Sequence, residues 1–300
     1  MKILFCSDGS SQAENAVRFG ALIAAACQAE TSILGIVEKT GQEETVLQAL
    51  RRAQNILKEV HLNAELITKP GRPVSEIIKR TQETKYDLVV IGAVRKGTRG
   101  PLWMSARAYK IIEAVEPPVL VVIGERTTLR RILLCTSGTP QTDKAVQFAG
   151  DLARRLNAAV DLLHVLDEPP AVYANLIRPE EDADQLLQSN TKLGRSLRHQ
   201  KELLEQLGVP CELRLRHGLI LDELLRESKT DCDLVVSGSS PAGDKLRMYV
   251  MGNVTREIVN RAELPVLVVR SGTPQRATHL SDMLAHLLHR PKGTTEPKAA

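Results

Sequence analysis

Short uninterrupted apolar runs along the chain alternate with longer segments in which apolar residues recur every three or four positions. Leu88–Ile91 and Val266–Val269 are runs of the first kind. They are rich in β-branched residues and have no polar alternation, which is the pattern of parallel strands buried on both faces. Between such runs, Ala13, Ala16, Val17, Gly20 and Ala21 make one helical stripe, and Ala145, Phe148, Leu152 and Leu156 make another. Ser10 or Ser11 ahead of the first stripe, and Thr142 ahead of the second, are residue types that cap helix N-termini. The order βαβαβαβαβ predicts right-handed crossovers and a five-stranded, mostly parallel sheet with helices on both faces.

That order occurs twice. Ile3-Leu4-Phe5-Cys6 returns as Ile132-Leu133-Leu134-Cys135, and Asp87-Leu88-Val89-Val90 as Asp233-Leu234-Val235-Val236. Pro118-Val119-Leu120-Val121-Val122 returns as Pro265-Val266-Leu267-Val268-Val269. The offsets are 129, 146 and 147 residues. About 17 extra residues therefore enter the second copy after its second strand, and one more enters the loop after its fourth. The repeat predicts two α/β domains over 1–125 and 130–270, followed by an amphipathic helix and tail over 271–300. In that last segment Leu280, Met283, Leu284, Leu287 and Leu288 keep helical spacing, with Ser281 as cap and Pro291 as stop. The stripe needs a surface: its own body, a partner subunit or another protein. His279, His286 and His289 on this helix read as solvent-exposed rather than as metal ligands.

The chain has 300 residues, 43% hydrophobic and 25% charged, as expected of a soluble globular protein. Aromatic residues are only 3%, and the net charge of +4 is not gathered into a basic block. Both argue against binding to nucleic acid or to an anionic membrane. No apolar stretch approaches membrane-spanning length and no secretory pattern is present, so a cytoplasmic, reduced protein is expected. The five cysteines form no CxxC pair and no metal-ligand spacing. Cys6 and Cys135 lie in apolar runs and read as buried, inert thiols.

Sheets of this type bind ligands beyond the carboxyl ends of the strands, where the strand order reverses. Asp8-Gly9-Ser10 and Ser137-Gly138-Thr139 follow the first strands, while Gly92 to Ser105 and Gly238 to Asn253 follow the fourth. The second copy reads Gly238, Gly243 and then Gly252-Asn253-Val254-Thr255. A glycine loop ending at a helix start offers free backbone N–H groups and a positive dipole end, both suited to phosphate. Asn253 and Thr255 are candidate donors to its oxygens. A flexible crossover loop with an Asn N-cap is the other reading. The loop is not a Walker A motif, because Gly238-x4-Gly243 is followed by Asp244 rather than Lys.

The repeated strand–DG(S/T) start, the G-x2-G-x9-G-(S/T) loop and the closing PVLVV strand resemble the universal stress protein family, over nearly the whole chain as a tandem member. The resemblance implies two Rossmann-like (adenine nucleotide alpha hydrolase-like) domains. It also implies ATP, with or without Mg, held by the loop through triphosphate and ribose, and an acid after strand one on the adenine side. Domains of the family pair about a two-fold through the last strand, which implies pairing of the two copies within this chain. Further association into a homodimer, and an unidentified protein partner, stay open. Carried onto this sequence, the nucleotide-binding positions are Ser137, Val165, Gly238, Gly243, Gly252, Asn253, Val254 and Thr255 in the second copy, and Asp8 and Gly92 in the first.

The copies depart from the family pattern in opposite ways. The first keeps Asp8 and Gly92 but has Arg95 where the second glycine belongs and Ser105-Ala106 in place of Gly-Ser. A Cβ at Ser105 would crowd a phosphate if the backbone must approach closely. Arg95, Lys96 and Arg99 are a solvated loop face or a site for some other anion. The second copy keeps Gly238 and Gly252 but has Ser137 in place of the acid. One ATP site, in the C-terminal half, is therefore expected, with a degenerate site in the N-terminal half.

A regulatory, stress-response module is the leading reading, and no enzyme activity is expected beyond weak intrinsic ATP hydrolysis. No Ser/His/Asp set, carboxylate pair or metal cluster repeats at the strand ends. A scaffold or apolar-ligand-binding tandem without nucleotide is the alternative. An ATP-pyrophosphatase-type enzyme is a third reading, from the likeness of Ser137–Asp143 to an SGGxDS loop, but the second glycine is missing and Asp143 falls two positions late. The extra stretch Asp167 to Asp184 either folds over the second mouth through Tyr173, Leu176 and Ile177 or lies as a surface loop. Pro179 suits the first turn of the next helix.

Overall fold

A computed structural model describes residues 1–93, 95–96, 103–104, 106–166, 179–239 and 253–270. The first half runs β1 (Lys2–Cys6), α1 (Ser11–Ala26), β2 (Glu30–Val37), α2 (Glu43–Glu59), β3 (Ala64–Pro70), α3 (Pro73–Glu83) and β4 (Leu88–Gly92). A ribbon of β5 (Arg95–Lys96) and β6 (Trp103–Met104) follows, then α4 (Ala106–Ala114) and β7 (Val119–Val122). The second half runs β8 (Arg131–Cys135), a 3₁₀ turn (Pro140–Thr142), α5 (Asp143–Leu156), β9 (Ala159–Leu166), α6 (Pro179–Gln188) and α7 (Lys192–Gln206). It ends with β10 (Cys211–His217), α8 (Ile220–Glu227), β11 (Leu234–Ser239), α9 (Asn253–Arg261) and β12 (Val266–Arg270).

The halves share one ten-stranded sheet, ordered β10-β9-β8-β11-β12-β7-β4-β1-β2-β3. Each half contributes five parallel strands in the order third, second, first, fourth, fifth, so the order reverses beside β1 and beside β8. The fifth strands β7 and β12 meet antiparallel, as the expected pairing of the copies requires. Leu120 lies opposite Leu267, its own counterpart in the repeat, with Val119 opposite Val268 and Val121 opposite Val266. A pseudo-two-fold axis therefore passes between the two leucines, and neither β7 nor β12 is a free edge.

Helices α1, α2, α5 and α7 cover one face of the sheet, and α3, α4, α8 and α9 the other. The two apolar layers they make with the strands both run through the two halves: Phe5, Leu120, Ile132 and Leu267 share one, and Leu4, Val121, Leu133 and Val268 the other. In α1 the predicted stripe is buried as read. In α5 the buried positions are Ala145, Val146, Ala149, Gly150, Leu152 and Ala153, while Phe148 and Leu156 lie at the margin. Small residues face the sheet there because α1 and α5 meet across the axis and a bulky stripe would hold them apart. Part of the extra stretch of the second copy forms α6, starting at Pro179 as its sequence suggests, and packs on β10 and α7 through Ala183, Leu186 and Leu187. Residues 167–178, with Tyr173, Leu176 and Ile177, lie outside the described residues, as does 271–300 with its leucine stripe and three histidines. No described helix is long and apolar enough to cross a membrane.

Candidate functional site

In each half the first strand ends in a tight loop that delivers a helix N-terminus to the carboxyl end of the sheet. In the first half Asp8 begins that loop. One of its carboxylate oxygens accepts hydrogen bonds from the Ser10 amide (3.0 Å) and the Ser10 hydroxyl (2.5 Å). Ser10 in turn accepts from the Ala13 amide, the capping bond predicted for α1. Asp8 is exposed at the mouth, so the acid both organises the helix start and faces solvent. Gly92, at the end of β4, packs so closely on the backbone of Gln12 and Ala13 that a Cβ there would collide with the Gln12 carbonyl. The glycine is thus required for strand-to-helix packing, whatever it does toward a ligand. At the same mouth Arg107, on the first turn of α4, forks onto Glu38 just beyond β2 (2.8 and 3.1 Å). Of the basic loop residues, Arg95 and Lys96 pair with Met104 and Trp103 in a short antiparallel ribbon; Arg99 and Ser105 lie outside the described residues.

The second mouth is built differently. Ser137 takes the position of Asp8, and its hydroxyl lies 2.7 Å from that of Thr139. Gly138 has φ of +66°, a left-handed conformation that favours glycine, and Leu193 of α7 would collide with any side chain there. Below the loop lies a polar cluster. The Thr136 hydroxyl donates to Oε1 of Gln200 (2.6 Å), whose side-chain amide donates to the Thr139 carbonyl, the Thr142 hydroxyl and the Asp143 carboxylate (2.8–3.1 Å). Gln200 is completely buried. Thr142 does stand at the N-cap position of α5, but its hydroxyl donates to the Thr139 carbonyl instead of capping the helix. The preceding 3₁₀ turn gives it helical dihedrals (φ −89°, ψ −7°), and from these its side chain does not reach forward to the helix amides.

His164 on β9 sits against this loop, its Nδ1 3.0 Å from the Thr136 carbonyl. A carbonyl only accepts, so Nδ1 carries the proton and Nε2 of the neutral ring is an acceptor. Burial pushes its pKa below the ordinary histidine range, partly offset by the Thr136 contact. Its counterpart in the first half is Gly35, packed under Val46 and Leu50. Val165, one residue on, is half-buried against the α8 layer. Neither His164 nor Gln200 stood out from the sequence. The available signal was a glutamine in an otherwise apolar stripe, between Leu197 and Leu204, where the first copy has Ala53.

Across the mouth, β11 ends at Gly238 and Ser239, and α9 starts at Asn253. The buried Thr255 hydroxyl donates to the Gly238 carbonyl (3.2 Å) and lies 3.2 Å from the Ser237 hydroxyl. Thr255 therefore ties the start of α9 to the end of β11, with its proton directed inward to the strand. Val254, 42% exposed, stands where the first half has Arg107. Gly243 and Gly252 lie outside the described residues. The structure thus brings Ser137, Val165, Gly238, Asn253, Val254 and Thr255 to the carboxyl end of the second-half strands, and Asp8 and Gly92 to the same end of the first.

The cysteines are set apart from these mouths by chemistry: burial pushes the Cys6 thiol up to about 12 and raises that of Cys135 as well, so neither is a ready thiolate. Among the described residues no cluster of three or more His, Cys, Asp or Glu side chains is placed to hold a metal ion.

Comparison with known proteins agrees with the repeat and the topology. The sequence model of the universal stress protein family matches residues 1–122 and again 128–270. A universal stress protein of Synechocystis is 20% identical over 308 residues, covering 89% of this chain and 99% of its own. One from Methanocaldococcus jannaschii is 25% identical over 142 residues, 47% of this chain and 82% of its own. Among solved structures, a universal stress protein from Archaeoglobus fulgidus superposes with a TM-score of 0.69 at 16% identity, covering 90% of this chain and 98% of its own. The chain belongs to the universal stress protein family and carries the family's Rossmann-like α/β unit twice.

Proposed function

We propose that this protein is a stress-response regulatory module that binds an adenine nucleotide, ATP with Mg, at one site in the second half, beside a degenerate site in the first. The observation that carries the reading is the difference between the two mouths. In the second half the N-terminus of α9, which begins at Asn253, is tied by Thr255 to the end of β11, and the residue in the position of Arg107 is the uncharged Val254. In the first half the equivalent position holds Arg107, already forked onto Glu38, and the loop carries Ser105 in place of glycine. A helix start with free amides and a close-approach glycine accepts phosphate; one that lacks that glycine and has a carboxylate ion-paired at its first turn offers less. The Ser137 and Thr139 hydroxyls and the end of β9 would face the base and ribose, and Gly238, Gly243, Gly252 and Asn253 the phosphates. The role of such a module is conformational, with ligand occupancy selecting a protein partner.

The ion pair and the missing loop glycine of the first mouth favour a second reading for that half alone, as a non-binding scaffold domain. Titration calorimetry of the whole chain with ATP and magnesium checks both. One site per chain is expected, lost in Gly252→Val and retained in Asp8→Asn. No heat at millimolar nucleotide would sink the ATP assignment, and two equivalent sites would sink the asymmetry.

A further inference from the structure

The interface between the halves brings counterparts of the repeat face to face. Position 109 of the first copy corresponds to position 256 of the second, the offset of 147 that also relates Leu120 to Leu267. Tyr109 lies on α4 and Arg256 on α9, and the Arg256 guanidinium sits 5.0 Å from the centroid of the Tyr109 ring. An interface between identical domains would put like against like at this point, tyrosine on tyrosine or arginine on arginine. Here a buried ring meets a cation at the rim, a favourable contact available only because the two copies differ. The Tyr109 hydroxyl is buried as well, and Arg256 is the cation beside it as well as beside the ring.

A second contact across the axis is also one-way. Arg270, at the end of β12, donates to the carbonyl of Ile112 (2.7 Å), one of the last-turn carbonyls of α4 that lack helical partners. Its counterpart in the first copy is Ile123, a buried apolar residue with no donor to return. The second half thus supplies two cations to α4, and the first half supplies the ring and the carbonyl that receive them.

We propose that this interface is heterotypic by construction. The α4–β7 surface of the first half is fitted to the α9–β12 surface of the second, and second-half surfaces are refused as partners for each other. Two second halves meeting through β12 would bring Arg256 against Arg256 at the rim of the interface, with like charges a few ångströms apart and no ring to receive either. Pairing is thereby directed to unlike halves, which the short connection between β7 and β8 supplies within one chain, and chains are not linked end to end through like halves.

Substitutions in the full chain test this by a reversal of sign. Arg256→Glu removes the cation from the Tyr109 ring and lowers the folding equilibrium constant about twofold to fivefold, the range for a rim cation–π contact. In a Tyr109→Arg background the same Arg256→Glu substitution raises stability, because it replaces an Arg–Arg contact by an ion pair. If Tyr109→Arg prevents folding, the milder cycle of Tyr109→Leu, Arg256→Met and the double variant replaces it, with coupling of at least twofold expected. Urea unfolding reads all variants, with sedimentation to report association. Arg256→Glu lowering stability equally in both backgrounds, or additivity in the milder cycle, would overturn the proposal.

Discussion

At the level of single residues, the two copies have exchanged a polar solution for an apolar one beneath the first-strand loop. Ser7, Ala13 and Ala53 in the first half correspond to Thr136, Thr142 and Gln200 in the second, and all six are buried. Where the first half has the methyl groups of Ala13 and Ala53 beside the single hydroxyl of Ser7, the second has a glutamine whose amide donors and carbonyl are satisfied by three hydroxyl or carbonyl groups and a carboxylate. Satisfied buried polar groups specify one arrangement, which fixes the loop bearing Ser137 and Thr139. His164 belongs to the same arrangement and gives it a pH dependence. Its pKa is lowered by burial, so above the ordinary value of 6.5 the ring is neutral in folded and unfolded chains alike. As pH falls below that value the unfolded chain takes up the proton first, and stability declines until the depressed folded pKa is reached, then levels off. The stability of the wild type relative to His164→Gln should therefore fall between pH 7 and pH 5, measured by urea unfolding. A difference that stays constant over that range would mean His164 is not the titrating group.

At the level of elements, the same strand-and-helix pattern is held down by different chemistry in the two halves. Beneath α3 the first half packs Leu4, Leu34, Ile67 and Ile77 as apolar neighbours. At the equivalent place under α8, the second half has Arg214 in the position of Ile67 and Glu227 in that of Arg80. Glu227 accepts from Arg214 (2.9 Å) and Arg216 (2.7 Å), and Arg214 also reaches the buried Asp161, itself bonded to Arg131. Burial alone would raise the pKa of Glu227, but the two guanidinium groups hold it below the usual carboxylate range. Its contribution is therefore complete above the unfolded value of 4.5 and is lost as pH falls through the folded one. Glu227→Gln leaves Arg216 without its carboxylate while Arg214 keeps Asp161, and should cost roughly 2–3 kcal/mol at pH 7, moderated because both arginines are partly exposed. That cost should shrink as the pH drops below 4.5 in chemical unfolding; a pH-independent cost would assign the effect to packing.

The elements themselves were legible in the sequence, because strands buried on both faces leave continuous apolar runs and the helices between them leave stripes. The α1 cap falls on Ser10, one of the two serines the local rules offered, and α6 starts at Pro179 where they put it. The ribbon β5–β6 did not show, since two residues per strand carry no periodicity. The candidate site was legible only as a location. Strand order and glycines gave the mouths, but the tasks of Gly92 and Thr255 in packing one element on another depend on tertiary neighbours that no local pattern encodes.

At the level of the whole molecule, the decisive feature is that the repeat does not produce two separate cores. β7 and β12 are the fifth strands of their halves but the central pair of one sheet, and Leu120 and Leu267 at their crossing are fully buried. Both apolar layers pass through that crossing, so separating the halves would expose β-strand edges and leucine side chains together. Fully burying one leucine is worth about 2 kcal/mol, and a charge in its place adds a desolvation penalty. The wild-type chain should therefore unfold in a single calorimetric transition, with the van't Hoff and calorimetric enthalpies equal. Leu267→Lys places an ammonium on the axis against Leu120 and should divide the melt into two transitions, since each half retains its own helices and five parallel strands. Leu213→Ala is a control in the same apolar layer but on β10, far from the axis, and should lower the midpoint without dividing it. Two transitions already present in the wild type would show that the shared sheet does not couple the halves. The heterotypic contacts of Tyr109 and Arg270 would then act on geometry alone and not on cooperative stability.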